Sequence, residues 1–153
     1  MRKRGAHFKR RIDPRAGLHA IAMQHGLDDA QQADLGVALR VNLEALRTGQ
    51  ADEAAFHTLA AAVNVSLVLC ERGVGADHLP AIKRAQEGML RLWTRAKQTG
   101  RWVFDGGGWH DTAHAIDLHE AQLAAVSRKA ASEAMREVMR RINSGNIFEE
   151  QRA

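Results

Sequence analysis

The stretch DEAAFHTLAAAVNVSLVLCERGVG, residues 52–75, decides the fold. Asp52 is placed to cap a helix, Phe56, Leu59, Val63, Leu67 and Cys70 then recur at helical spacing, and Gly73 and Gly75 stop it. An apolar stripe of that length needs other helices to cover it. Upstream, Asp28 or Asp29 can cap a helix striped by Leu35, Leu39, Leu43 and Leu46 and ended by Gly49, and a short helix is expected from Leu18 to Gln24, closed by Gly26. Downstream, Asp77 can cap a helix with Pro80 in its first turn and Leu79, Ile82, Gln86, Met89, Trp93 and Ala96 as its stripe before Gly100. Helical pattern resumes at Trp109 and breaks near Ser127, which can cap a last helix bearing Ala131, Met135, Val138 and Ile142 before Gly145. Arg101 to Gly108 is the one extended stretch, a small strand, a hairpin arm or an exposed contact loop.

A chain of 153 residues suits one domain. Apolar residues at 45%, charged residues at 26%, two prolines and no tyrosine favour a helical design over a loop-rich or all-β one. The expectation is an all-α, compact bundle of about five or six helices. A basic arm at 1–15 precedes one helical domain at 16–145, with a short extended segment near 101–105 and a tail at 146–153. The single cysteine, Cys70, excludes an intramolecular disulfide and a multi-cysteine zinc cluster, which fits a reducing cytosol. No run reaches the eighteen or so apolar residues of a membrane span, and no apolar segment follows the basic start as in a signal peptide, so a cytoplasmic protein with no membrane partner is expected.

The net charge of +4 is unevenly spread. Residues 1–15 hold seven cations, Arg2, Lys3, Arg4, Lys9, Arg10, Arg11 and Arg15, against Asp13 alone, so the arm is +6 and the remainder −2. Such an arm neutralises phosphates, meets an acidic protein surface, or merely solubilises the chain. A second basic surface is expected where Arg84, Arg91 and Arg95 share one side of a helix and Lys97 and Arg101 follow, and a third where Arg136, Arg140 and Arg141 cluster. Aromatic residues interleave with charge in GRWVFDGGGW, residues 100–109, where Trp102, Phe104 and Trp109 can be contact anchors or core. The candidate partner-binding residues are therefore Arg2, Lys3, Arg4, Lys9, Arg10 and Arg11 of the arm, with Arg91, Arg95, Arg101 and Trp102. Exposed Trp102 and Phe104 would also favour a homodimer.

Residues 109–123, WHDTAHAIDLHEAQL, raise the question of a metal site. At 100° per residue, His110, His114 and Asp117 fall within about 60° of one another, but Asp117 lies about 10 Å along the axis from His110, too far for one ion. The zincin glutamate is missing, because Asp111 follows His110. A solvated polar face is the simpler reading, and no metal or cofactor is expected. His119 lies about 180° from that face, in line with Trp109, Ile116 and Leu123, and should be at least partly buried. No nucleophile elbow, P-loop or dinucleotide fingerprint is present, so no catalytic residue is assigned and a non-enzyme is expected. The Asp105-Gly-Gly-Gly run at a helix N-terminus could hold an anion, but without a lysine it reads as a flexible loop rather than a phosphate cradle.

The start MRKR, the stretch LEALRTGQADEAAFHTLAAAVNVSLVL, the RGVGADH turn, the TGRWVF segment and DLHEAQL together resemble a family of small proteins carried by phages, prophages and other mobile elements of Proteobacteria. The resemblance covers nearly the whole chain and extends to the type I-F anti-CRISPR proteins. It implies a non-enzymatic inhibitor that binds the host's CRISPR-Cas RNA-guided surveillance complex, protein and its nucleic acid included, and blocks target DNA binding or nuclease recruitment. The shared positions are mostly turn glycines and core residues, among them Gly49, Gly73, Gly75, Gly100, His119 and Gln122, and they support common fold more than any one contact. The triple glycine at 106–108 departs from the family there. The alternatives are a nucleic-acid-binding regulator using the arm and a metal-dependent enzyme using His110 and His114.

Overall fold

The computed structural model describes residues 29–144. The basic arm, the helix expected at Leu18–Gln24, and the tail from 146 lie outside the described residues. Among the described residues five α-helices follow one another: α1 (Asp29–Thr48), α2 (Glu53–Glu71), α3 (Leu79–Thr99), α4 (Gly106–Ala125) and α5 (Arg128–Asn143). The all-α bundle expected from the stripes is what the chain forms, with no strand among the described residues beyond one isolated bridge.

α2 is the hub, packing against each of the other four helices. The expected stripe describes only one of its faces. Val65, Leu69, Ala61 and Ala62 are buried as well, whereas Leu67 is only half-buried. Among the described residues it is the one helix long and apolar enough to cross a membrane, and its neighbours bury 72% of that apolar window. The first four helices run up, down, up, down. Glu53 of α2 meets Lys97 of α3 while Asn64 meets Gln86, Arg84 of α3 meets Asp111 of α4 while Arg91 meets Asp105, and Arg40 of α1 meets Asp117 and Glu120 of α4. α5 lies on α2, with Arg141 bonded to Glu71.

Helix ends follow local chemistry. Asp52 and Ser127 cap α2 and α5 through bonds from the Ala55 and Ala130 amides, as their positions predict. Asp77 does not cap α3. Ala76–His78 forms a 3-10 turn in which the His78 amide donates to Gly75, and that turn leads straight into the helix. Behind this turn lies a buried polar lock. The Ser66 hydroxyl donates to Gln122 Oε1 at 2.7 Å, and Gln122 Nε2 donates to the Val74 and Ser66 carbonyls at 2.9 and 3.2 Å. One α4 side chain thus ties the end of α2 to the loop that leaves it, with its buried polar atoms satisfied.

The start of α4 corrects the sequence reading. The glycines at 106–108 are not a loop before a helix at Trp109; they are the first turn of α4, because Asp105 caps it by accepting from the Gly108 amide. Gly108 is buried there, and α3 and α4 touch backbone to backbone at Gly88 and Gly108: a Cβ on Gly88 would fall 2.7 Å from Gly108 Cα. Only glycine permits that approach, and Gly106, by contrast, faces open space. Gly88→Ala is therefore expected to destabilise the fold by about 1–3 kcal/mol by forcing α3 from α4, while Gly106→Ala should stabilise it by about 0.4–1 kcal/mol. Urea unfolding of both variants checks the pair, and a neutral Gly88→Ala would contradict the close contact.

Candidate interaction surface at one end of the bundle

The α1–α2 turn and the α3–α4 linker meet at one end of the bundle. Gly49 (φ 76°) and Gly100 (φ 74°) end α1 and α3 in the left-handed region. The extended stretch expected near 101–105 is held by few but well-placed backbone contacts: an antiparallel bridge between Ala51 and Trp102, and a 2.8 Å bond from the Phe104 amide to the Leu46 carbonyl. Arg95 adds a guanidinium bond to the Val103 carbonyl. The linker is thereby laid across the turn as a fixed strap.

Four of the ten expected partner-binding residues, Arg91, Arg95, Arg101 and Trp102, come together at this end. They are not equally available. Arg91 bonds Asp105 through Nε at 2.9 Å, and Arg95 Nη1 lies 3.6 Å from the same carboxylate. Arg101 is exposed beside Gly49. Trp102 is half-buried, packed on Phe56 and Trp93 with ring centroids 5.3 and 5.7 Å away. Phe104 is buried, so the exposed apolar pair expected at Trp102 and Phe104 is absent; Val37 and Val41, one turn apart on α1, are the large apolar residues left exposed among the described residues, each 61%. The arm residues Arg2, Lys3, Arg4, Lys9, Arg10 and Arg11 lie outside the described residues. Since the 20-residue α1 is about 30 Å long, its N-terminal end lies at the end of the bundle opposite Trp102.

The sequence reading missed an assembly beside the strap. Lys97 Nζ stands 4.2 Å from the centre of the Trp93 ring and 5.4 Å from that of Trp102, with Glu53 Oε1 at 3.5 Å, and Glu53 also reaches His57 Nε2 at 3.4 Å. The signal was there: Lys97 follows Trp93, and His57 follows Glu53, by one helical turn.

The remaining candidates fall elsewhere. His110 and His114 are exposed on α4, and Asp117, the third member of that face, is bonded to Arg40 at 2.8 Å. Among the described residues, no three His, Cys, Asp or Glu side chains are grouped to hold a metal ion. His119 is fully buried, as its place opposite that face predicts. Burial pushes the Cys70 thiol up, and its Sγ donates to the Gly75 carbonyl, so it stays a protonated core group rather than a thiolate nucleophile. Arg141 is held by Glu71 and Glu137, and Arg140 by Glu137, which leaves Arg136 as the exposed member of that cluster with no ion pair among the described residues. Compared with known protein families, with characterised proteins and with solved structures, the chain matches none.

Asp105 is the electrostatic centre of this end. The bond from Arg91, then those from the Gly108 amide and the charges of Arg91 and Arg95, hold its carboxyl down to about 2 against the cost of desolvation. Because the folded value lies below the unfolded one of about 3.9, the stabilisation is complete above that pH and is lost as pH falls from about 4 toward 2. Asp105→Ala, which removes both cap and ion pairs, is expected to cost about 1–2 kcal/mol at neutral pH and to flatten the acid limb of the stability profile over that window. Thermal unfolding from pH 2 to 7 reads both effects; an unchanged acid limb would exclude Asp105 as its source.

Proposed function

We propose that the protein acts by binding rather than by catalysis, docking on another macromolecule through the bundle end built from the 49–52 turn and the 100–105 strap. The observation that carries this reading is the convergence of Arg91, Arg95, Arg101 and Trp102 at that end on a strap fixed by the backbone, since a rigid, charged and aromatic surface is what a protein interface requires. The resemblance described above supplies the partner: a CRISPR-Cas RNA-guided surveillance complex in the cytoplasm of a bacterial host, inhibited by blocking target DNA binding or nuclease recruitment. The basic arm supports a second reading, a regulator that binds nucleic acid directly, because +6 within fifteen residues neutralises phosphates without any fold.

The two readings separate in one experiment. Co-elution with a type I-F surveillance complex is run at moderate and high salt, followed by a target-DNA shift and a nuclease assay. Binding that survives high salt, stops cleavage and weakens about tenfold in Arg101→Glu supports the inhibitor. Absence of both co-elution and inhibition excludes it. Binding to naked DNA that falls steeply with salt and disappears when residues 1–15 are removed supports the regulator.

A further inference from the structure

We propose that the notch between Trp93 and Trp102 is a receptor for an ammonium or guanidinium group presented by a partner protein, occupied in the free protein by the chain's own Lys97. The two indoles meet at 63° with centroids 5.7 Å apart and form two walls, and Phe56 closes the back at 5.5 and 5.3 Å from them. Glu53 supplies the carboxylate, 3.5 Å from Nζ. Aromatic faces plus one carboxylate are the chemistry that selects a cation, and the ammonium already seated within 4.2 and 5.4 Å of the two ring centres identifies the class of guest.

Walls and guest differ in how firmly they are held. Trp93 and Phe56 are core residues of α3 and α2, and the Trp102 backbone is pinned by the bridge to Ala51 and the bond from Phe104 to Leu46. None of these backbone contacts runs through Lys97. Lys97 rides on a four-carbon stem, and its side chain is 23% exposed, so the resident side chain is not sealed in the core. Leaving the notch restores rotamer freedom to that stem, which offsets part of the cost of exchange with a cation fixed on a folded partner. A partner that docks at this end thus gains one buried anchor without remodelling the bundle.

The inference shares its location with the proposed docking surface but does not depend on the partner's identity, so failed co-elution leaves it standing and a failed titration leaves the co-elution standing. The test follows tryptophan emission of the wild type and Lys97→Ala at constant ionic strength, with tetramethylammonium as the cation and tert-butanol as its uncharged match. Lys97→Ala is expected to bind tetramethylammonium saturably and about tenfold tighter than the wild type, to give no saturable response to tert-butanol, and to lose most of the affinity when Glu53→Gln is added. A helical Lys97→Ala with no saturable response to the cation, or an equal response to both probes, overturns the receptor. The wild type gives a check that does not depend on how the variant folds. At high tetramethylammonium the indole N–H resonances of Trp93 and Trp102 should shift while that of Trp109 stays; three unmoved resonances overturn the proposal.

Discussion

A helix that is apolar around most of its circumference has to be enclosed, and α2 imposes that demand on the rest of the chain. Its buried residues point toward α1, α3, α4 and α5 in turn. Burial of a Leu or Val side chain contributes about 1.5–3 kcal/mol, and Leu59, Val63, Val65, Val68 and Leu69 are all essentially without solvent contact. No neighbouring helix can be withdrawn without exposing one of these faces. The up-down-up-down order follows from the short connections at 49–52 and 72–78, which leave successive helices nowhere to go except back along the one before.

Enclosure on that scale leaves two problems, and the chain answers each with a local device. The polar groups at the end of α2 would be stranded in apolar surroundings; Gln122 and Ser66 satisfy one another and the carbonyls beside them, so the turn after α2 is specified as well as buried. The second problem is room. α3 and α4 both press on α2, and side chains between them would hold them off it, so they meet at Gly88 and Gly108 with bare backbone. Asp105 then fixes where α4 begins, so cap, close contact and the Arg91 pair converge on a few residues.

Most of this architecture was legible because apolar periodicity and helix punctuation are local. Leu39, Leu43 and Leu46, or Met89, Trp93 and Ala96, need only their own helix to be recognised as a buried stripe. What failed to show was whatever depends on a second element. Three consecutive glycines read as a loop because their intrinsic helix propensity is poor, and only the opposing Gly88 explains why the third of them, Gly108, sits inside α4. Phe104 looked exposed because nothing in its neighbourhood in sequence shows that its amide is bonded to Leu46 of α1 and its ring buried. Arg91 and Arg95 looked free because their common carboxylate lies beyond the end of their own helix.

That last point changes which residues at this end can meet a partner. A guanidinium already bonded to Asp105 can turn outward only by giving up an ion pair and unsettling the cap of α4, so Arg91 and Arg95 are better placed to shape the surface than to anchor on it. Arg101 pays no such cost, and Trp102 offers the outer part of its ring while its inner part stays packed on Phe56 and Trp93. The strap therefore divides its residues by role. Arg91, Arg95 and Phe104 hold it to the bundle, and what this end presents is Arg101, the rim of Trp102 and the notch in which Lys97 sits.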